Sequence, residues 1–465
     1  NDEMTSFDMT TAAYFWGFLL LYGAAMYVLS PQARSVSSFF GGTDEAGRPA
    51  SEWALMCSIF ISWIFAKSVT NAANLGATFG VVGGLAYATY WLSIPMAGAV
   101  IYWLRTRHGA TGLVPFLMAK YGRLAAIAFT LAILTRLYNE VWSNTAVVGA
   151  YYGHPGAWTF IGAALVFTAV TLLYSVKGGL RSSIVTDVIQ AVLFVVAMSI
   201  VLFVILPKHG LGTLLSVGEF RLAGGVDLVF VALLQVLSYP FHDPVLTDRG
   251  FITGEKKMLR AMVVAGVLGF ICIFAFSLVG VHARIEQLPL GDNMPGAVAL
   301  AFGVAPYLLM TCVMIMAAGS TLDSTFASVA KSVGREIPLL SGRSPGSRSI
   351  MIGMWTMVAI AILGNIPMIA GTDILKATTI SGTMVMGLAP IFLLSPLVRH
   401  SPWSFHLAFW PGALVGVLLA GGLLPASWAI GDGKYALLLG ANAYGLAICC
   451  TGFVLPVVLQ RLSRR

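Results

Sequence analysis

The chain has 465 residues, of which 58% are hydrophobic and only 10% are charged, and its formal net charge is +8. Soluble proteins carry about 25% charged residues, so a soluble globular protein is excluded. The cations lie in short loops between apolar runs, which does not indicate a nucleic-acid-binding surface. Five cysteines lie in apolar runs without metal or disulfide spacing, and we interpret them as packing residues.

Apolar runs of about 20 residues, each long enough to cross a bilayer, recur along the whole chain. We predict an all-α polytopic membrane protein with about thirteen transmembrane helices. They lie near residues 9–29, 48–76, 80–104, 123–150, 157–176, 182–206, 226–246, 258–284, 296–332, 347–368, 374–398, 404–425 and 438–460. The first run lacks the basic start of a cleavable signal, so we expect it to be a true span.

The distribution of cations predicts the orientation in the membrane. Of the 27 Lys and Arg residues, 20 lie in one set of alternate loops and in the C-terminal tail, and five lie in the other set. Because cytoplasmic loops carry the excess of cations, we predict a cytoplasmic C-terminus and an external N-terminus. We expect the chain to lie in the plasma membrane or the bacterial inner membrane.

Two of the predicted spans carry polar residues and helix-breaking signals in the middle of their apolar runs. The second span contains Ser58, Ser62, Lys67, Ser68, Thr70, Asn71 and Asn74. The seventh contains residues 238–244, where two prolines flank His242 and Asp243. A proline frees a backbone carbonyl, and such backbone is tolerated in a membrane only where it lines a cavity or is buried in protein. Two unrelated kinks are the alternative interpretation.

The two broken spans lie five helices apart, which is the spacing of two five-helix inverted repeats with a site between their broken first helices. We therefore predict one transporter domain over 1–465. It has an extra N-terminal helix at 1–30, a first inverted repeat at 48–206, a second inverted repeat at 226–398 and two C-terminal helices at 404–465.

The stretch 314–336, which begins inside the ninth predicted span, carries a carboxylate and five hydroxyls in an apolar helix: Ser320, Thr321, Asp323, Ser324, Thr325 and Ser328. Hydroxyl and carbonyl oxygens are hard ligands that suit a small hard cation. The alternative is that these small residues form hydrogen bonds between packed helices.

Three segments resemble the sodium/solute symporter family. Residues 174–190 are similar to its signature, with an aromatic residue, Gly178-Gly179 and Thr-Asp-x-x-Gln entering the next helix. Residues 317–322 resemble the small-small-x-Ser-Thr segment of its sodium-binding helix, and residues 61–66 resemble a broken helix of the urea-transporter branch. Gly178-Gly179 permits a tight turn between two helices.

The resemblance implies a LeuT-type inverted-repeat fold with a sodium site between the second and ninth spans. Carried onto matching positions, the ligands are the carbonyls of Ile61, Ile64 and Ala317 and the hydroxyls of Ser320 and Thr321. Asp187 would stand near the inward exit of the ion.

The chain departs from the family where a substrate should bind. It has Lys67 one turn into the broken second span, and residues 239–249 differ from the family's seventh span. We predict a substrate region formed by Lys67, Ser68, Asn71, Tyr239, His242 and Asp243. We predict coupling or gating roles for Lys67, Asp187, Asp243 and Asp323.

The ionisable residues inside the spans suggest specific pairs. Arg136 and Glu140, four residues apart, are expected to pair with each other. For Lys67 three interpretations compete: it binds an anionic substrate group, it replaces a coupling cation, or it pairs with Asp243 and orders the broken helices, which is the interpretation we favour. For His242, a hydrogen-bonded plug of the helix break is favoured over a proton switch.

We predict a secondary-active transporter that imports a small polar solute by alternating access, coupled to Na⁺. The alternatives are a sodium-independent transporter, proton-driven or uncoupled, with Lys67 replacing a cation, and the transporter-like input module of a signalling protein. The sequence suggests neither an enzyme nor a cofactor apart from the coupling ion Na⁺. The expected partners are the solute, Na⁺ and the bilayer, and a monomer is compatible with the sequence.

Overall fold

A computed structural model describes residues 9–371 and 381–463, which form helices connected by short loops. The helices are α1 (Met9–Leu29), α2 (Val36–Gly41), α3 (Glu52–Ser62), α4 (Ala66–Phe79), α5 (Val81–Thr89), α6 (Ser93–His108), α7 (Leu113–Tyr121), α8 (Arg123–Ala150), α9 (Trp158–Ile205), α10 (Leu211–Leu215), α11 (Val226–Gln235), α12 (Pro244–Thr247), α13 (Glu255–Ile285), α14 (Met294–Ala301), α15 (Val304–Lys331), α16 (Ile337–Leu340), α17 (Ser347–Leu363), α18 (Ile366–Ala370), α19 (Leu388–Leu393), α20 (Pro402–Ala420) and α21 (Ala436–Leu462). The described residues contain no β-strand, so the predicted all-α fold class is confirmed.

Nine helical segments of the described residues are long and apolar enough to cross a membrane, or ten with one bent pair. The longest helix, α9, has 48 residues and covers both the fifth and the sixth predicted spans. It is not one straight helix: residues 158–178 and 180–205 form two pieces, about 31 Å and about 39 Å long at 1.5 Å per residue, and each is long enough to cross the ~30 Å hydrocarbon core. Gly179 lies between them with φ 54° and ψ −131°, a left-handed conformation that favours glycine and makes the predicted turn.

The predicted break in the second span is confirmed. Ser51 caps α3, and its hydroxyl accepts a hydrogen bond from the N–H of Ala54 at 3.2 Å. α3 ends at Ser62 and α4 begins at Ala66, with a bend of 55° between their axes. The carbonyls of the last turn of α3 have no partner four residues further along, because the helix stops there. The carbonyl of Ile61 accepts a hydrogen bond from the N–H of Ile64 at 3.1 Å instead, and a carbonyl oxygen can accept a second contact.

The predicted break in the seventh span is confirmed as well. α11 ends at Gln235, and two 3₁₀ turns, Tyr239–His242 and Asp248–Phe251, flank the four-residue helix α12. Asp243 caps α12 through a hydrogen bond from the N–H of Val245 at 3.1 Å. The chain therefore crosses this region as short pieces, and side chains on both sides of the break reach the interior.

The ninth predicted span, 296–332, is wrong as a single helix. α14 and α15 are separate, and Gly303 between them has φ 122°. The predicted span 374–398 begins outside the described residues, which resume at residue 381 and include α19. The count of thirteen spans and the pairing of 48–206 with 226–398 as inverted repeats stay predictions.

Two packed groups of helices enclose the interior. α13 lies along α4, and Gly280 touches the carbonyl of Ala73 so closely that a Cβ would overlap it. α9 packs along α15, and α3 contacts both α9 and α13. The α3–α4 break therefore lies where the two groups meet.

Candidate functional site

The polar residues of α15 face the α3–α4 break and the second half of α9. They form a fully buried group that we name the aspartate–arginine cluster. Its members are Ser58, Ser62, Ser183, Asp187, Arg249, Ser320, Asp323 and Ser324, each at most 1% exposed. Helices α3, α9 and α15 and the turn after α12 each contribute to it. The cluster thus joins both broken spans to the helix that carries the predicted sodium ligands.

Asp187 lies at the centre of the cluster and accepts hydrogen bonds on both carboxylate oxygens. Its Oδ1 accepts from Ser320 at 2.7 Å, and its Oδ2 accepts from Ser58 at 2.6 Å and Ser62 at 3.1 Å. The guanidinium Nη2 of Arg249 donates to Oδ2 at 3.2 Å. These donors favour the ionised carboxylate, which is otherwise costly at membrane depth.

Arg249 spreads its guanidinium across the cluster. Its Nε donates to Ser58 at 2.7 Å, and its Nη1 donates to the carbonyl of Val245 at 2.7 Å. Its Nη2 also donates to Ser324 at 2.8 Å and Ser183 at 3.1 Å. Arg249 is one of the 20 cations that the sequence analysis assigns to the loops and tail with the excess of cations, and this assignment is wrong because the side chain is fully buried. Arg249 follows the break in the seventh span, where the backbone still lies inside the protein, so its side chain points into the interior and not into a loop.

Asp323 is the second carboxylate of the cluster. Ser183 donates to its Oδ1 at 2.6 Å, and Tyr174 donates to its Oδ2 at 2.8 Å. Within residues 9–371 and 381–463, no cationic side chain forms an ion pair with it. If both carboxylates are ionised, two negative charges face the single positive charge of Arg249, whereas a proton on Asp323 balances the charges of the cluster.

The predicted sodium ligands lie at this cluster. Thr321 donates to the carbonyl of Ser62 at 3.1 Å and so ties α15 to the α3–α4 break. Ile64 lies in the break, Ile61 lies in the last turn of α3, and Ala317 lies one turn before Thr321 on α15. The hydroxyl of Ser320 donates a hydrogen bond to Asp187, so this predicted ligand lies directly beside the carboxylate.

The predicted direct ion pair between Lys67 and Asp243 is wrong, because Lys67 pairs with Glu140 instead. The Nζ of Lys67 lies 2.5 Å from the Oε1 of Glu140, and Arg136 binds the same oxygen at 2.5 Å through Nη1. The Nη2 of Arg136 reaches the Oδ2 of Asp243 at 3.2 Å. We name Lys67, Glu140, Arg136 and Asp243 the four-charge chain. It is at most 2% exposed, contains two charges of each sign and contains the predicted Arg136–Glu140 pair.

Aromatic rings surround the four-charge chain. The guanidinium of Arg136 lies 5.0 Å from the ring centroid of Tyr239, and Trp63 donates from Nε1 to Asp243 at 3.0 Å. The ring of Trp63 packs edge-on against Tyr239 and Trp91, with centroids 6.1 Å and 5.7 Å away. This environment is apolar except for a few fixed polar groups, which is typical of a small-molecule site.

The other predicted substrate residues lie at the edge of this region. Ser68 and Asn71 both reach the hydroxyl of Tyr87, at 3.2 Å and 3.3 Å. His242 bonds through Nδ1 to the carbonyl of Tyr239 at 2.5 Å, as expected of a histidine that plugs a helix break.

Three buried side-chain nitrogens of this region have no hydrogen-bond partner among the described residues: Arg136 Nε, His242 Nε2 and Trp91 Nε1. The nitrogens of Arg136 and Trp91 are donors. Because Nδ1 of His242 donates to the carbonyl of Tyr239, Nε2 of the neutral ring carries no hydrogen and is an acceptor. Buried polar groups are nearly always paired, so unpaired ones mark a place where a ligand or water belongs.

Sequence comparisons relate the chain to sodium-coupled transporters. No protein-family model matches it. It is 23% identical over 417 residues to a sodium/myo-inositol cotransporter of Mus musculus, covering 75% of this chain and 57% of that protein. It is 24% identical over 210 residues to sodium/glucose cotransporter 4 of Danio rerio, covering 44% of this chain and 30% of that protein. The chain thus spans between about a third and three fifths of the length of these relatives.

Solved structures show the same fold over the whole chain. A Na⁺-coupled sialic acid symporter in a substrate-bound, outward-open state superimposes with a TM-score of 0.74 at 16% identity, covering 98% of both chains. A nucleobase–cation symport family transporter in a closed conformation gives a TM-score of 0.55 at 12% identity, covering 91% of this chain. All these proteins are cotransporters or symporters by name, not enzymes. The resemblance to the sodium/solute symporter family is confirmed: the chain is a multi-pass membrane protein with the fold of a Na⁺-coupled symporter.

Proposed function

We propose that the chain is a secondary-active transporter that imports a small polar solute together with Na⁺. The observation that carries this proposal is the aspartate–arginine cluster, in which Asp187 and Asp323 face one guanidinium. With Asp323 ionised, the cluster has a net negative charge that is costly at membrane depth, and one further monovalent cation bound there offsets this cost. The names of the similar proteins indicate that this cation is Na⁺.

The proposed ligands are hard oxygens: the carbonyls of Ile61, Ile64 and Ala317 and the hydroxyls of Ser320 and Thr321. The Thr321–Ser62 hydrogen bond supports this assignment, because it brings α15 against the break at which Ile61 and Ile64 lie. Asp187 acts from beside the cage through Ser320. The ion would then hold α15 and the broken helix together, which is the contact that alternating access has to make and release.

A cavity near the aspartate–arginine cluster agrees with an inward exit for the ion. This cavity of about 450 Å³ is lined by Ser51, Ala54, Ile184 and Val188, among others. Ala54 lies one helical turn before Ser58, and Ile184 lies one turn before Asp187. If the C-terminus is cytoplasmic and the N-terminus external, as the cation distribution predicts, this cavity lies toward the cytoplasm. Asp187 then stands at the inward exit of the ion.

The solute site that we propose is the aromatic region around the four-charge chain. Its rings offer apolar faces, while Arg136, His242 and Trp91 each carry a buried polar nitrogen that no described residue contacts by a hydrogen bond. A polyhydroxylated solute supplies both apolar C–H faces and hydroxyl groups that donate and accept. The relatives named for myo-inositol, glucose and sialic acid therefore provide the first compounds to test.

A second candidate is sodium-independent transport, with a cationic side chain as the built-in positive charge. The favoured side chain is Arg249, because its guanidinium already lies in the cluster. Lys67 is less suited, since its charge is balanced by Glu140 within the four-charge chain. This candidate requires Asp323 to carry a proton in place of the missing cation.

Tryptophan fluorescence of the purified protein tests the proposed ion site without a known solute. Trp63 lies between Ile61 and Ile64, so Na⁺ binding should change its emission, whereas K⁺ and choline at equal ionic strength should not. Trp63→Phe should abolish the response, and Ser320→Ala/Thr321→Ala should shift it to higher Na⁺ concentration. A Na⁺ response that is unchanged in the double alanine variant would place the ion elsewhere.

A further inference from the structure

A group of metal-ligating side chains lies outside the aspartate–arginine cluster, in the loop after α9 and at the C-terminal end of α13. His209, His282 and Glu286 each offer a ligand atom, and these atoms lie within 4.8 Å of one another. His282 and Glu286 are four residues apart at the C-terminal end of α13, so they share one helical face. His209 follows α9, and its ring centroid lies 5.0 Å from that of His282.

The loop that carries His209 is held in place by packing. Leu214 of α10 is buried in a small cluster with Leu278 and Val281 of α13. His209 Nε2 lies 2.8 Å from Glu286 Oε1. The loop ligand His209 is therefore already held beside the helix residues, and metal binding would not require the loop to become ordered.

His282 supplies the observation that points to a ligand. Its side chain is 2% exposed, yet its Nδ1 has no hydrogen-bond partner among the described residues. Lys208 Nζ and His209 Nε2 both lie within hydrogen-bond distance of Glu286 Oε1, at 2.9 Å and 2.8 Å. Two imidazoles and one carboxylate with an open position are a donor set that suits Zn²⁺.

We propose that His209, His282 and Glu286 bind a divalent transition-metal ion of the Zn²⁺ type. Ligand atoms of one tetrahedral Zn²⁺ lie about 3.4 Å apart, so the widest pair has to close by about 1.4 Å. Side-chain rotation of His209 and Glu286, which are 20% and 29% exposed, can supply this movement. Lys208 lies 2.9 Å from Glu286 Oε1 and competes with the metal for the carboxylate.

The bound metal would connect the two packed groups of helices. α9 packs on α15, whereas α13 packs on α4. A metal bridge between the end of α9 and the end of α13 restrains any motion of one group against the other. If the chain transports by alternating access, as proposed above, Zn²⁺ should slow transport from the side predicted to be external.

Zinc titration of the purified, chelator-treated full chain by isothermal calorimetry tests the site independently of transport. We expect one Zn²⁺ per chain, and at least tenfold weaker binding in His209→Ala, His282→Ala and Glu286→Gln. Lys208→Ala should bind at least as tightly as the wild type, because it removes the competing cation. His154→Ala, in the exposed loop before α9, is the matched histidine control and should bind as the wild type does.

Absence of stoichiometric Zn²⁺ binding to the wild type, or wild-type binding in both His209→Ala and Glu286→Gln, would overturn the proposal. The partly exposed His209 and Glu286 keep the test valid if His282→Ala fails to fold. Failure of Zn²⁺ to bind leaves the sodium-coupled function intact, whereas binding without an effect on solute uptake would overturn only the bridging role.

Discussion

The guanidinium Nη2 of Arg249 lies 3.2 Å from the carboxylate Oδ2 of Asp187, and both side chains are fully buried. This ion pair joins the broken seventh span to the second half of α9, next to the predicted sodium ligands on α15. It leaves Asp323 as the carboxylate of the cluster without an ion pair among the described residues. The ionisation of Asp323 therefore decides whether the cluster needs a further cation for charge balance.

The first prediction concerns Arg249. Arg249→Gln should lower the free energy of unfolding by about 3–5 kcal/mol, because it leaves Asp187 buried without its cation. Asp187→Asn in the same chain should recover most of this loss. Thermal unfolding in detergent, followed by size-exclusion chromatography, measures both effects. Wild-type stability in the single variant would show that the guanidinium does not balance Asp187.

The second prediction concerns Asp323. If Na⁺ balances its charge, Asp323→Asn should no longer gain thermal stability when choline chloride is replaced by NaCl. A site filled at tenfold its Kd contributes about 1.4 kcal/mol to the wild type. Asp248→Asn is the matched control, because Asp248 pairs with Lys331 outside the cluster and should leave the Na⁺ response in place. A full Na⁺ response in Asp323→Asn would contradict this charge balance.

The third prediction concerns Thr321, whose hydroxyl is one of the two side-chain ligands proposed for Na⁺. Thr321→Ala should weaken Na⁺ binding by about 1–3 kcal/mol, the range for an unsatisfied buried polar group. Thr325→Ala, one turn further along α15, removes a hydroxyl that bonds only to its own helix and should have little effect. Sodium titration of tryptophan fluorescence compares the two variants, and equal affinities would remove Thr321 from the site.

The fourth prediction concerns the four-charge chain. Because Lys67 contacts Glu140 and not Asp243, a double-mutant cycle should give a larger coupling energy for Lys67→Met with Glu140→Gln than with Asp243→Asn. Lys67→Met alone should cost about 3–5 kcal/mol of stability. The free energy of unfolding of the single and double variants gives both couplings. A larger coupling with Asp243 would contradict the observed contacts.

The sequence predicted both helix breaks, because Pro240 and Pro244 and the polar residues of the second span are local signals. It also placed Asp187 and Ser320 near each other through the family resemblance. It could not place Arg249 or choose the partner of Lys67, because both depend on side chains that meet only after several helices pack. Charges near one another in the chain, such as Arg136 and Glu140, were paired correctly.

Uptake of radiolabelled solutes into proteoliposomes that contain the purified chain tests sodium-coupled import directly. A panel of small polar solutes, beginning with myo-inositol, glucose and sialic acid, is measured with an inward Na⁺ gradient and with equimolar K⁺ or choline. We predict that at least one solute accumulates only with the Na⁺ gradient. This accumulation should be lost in the double variant Ser320→Ala/Thr321→Ala. Transport of a solute at the same rate with and without Na⁺ would contradict sodium coupling and favour sodium-independent transport with Arg249 as the built-in cation.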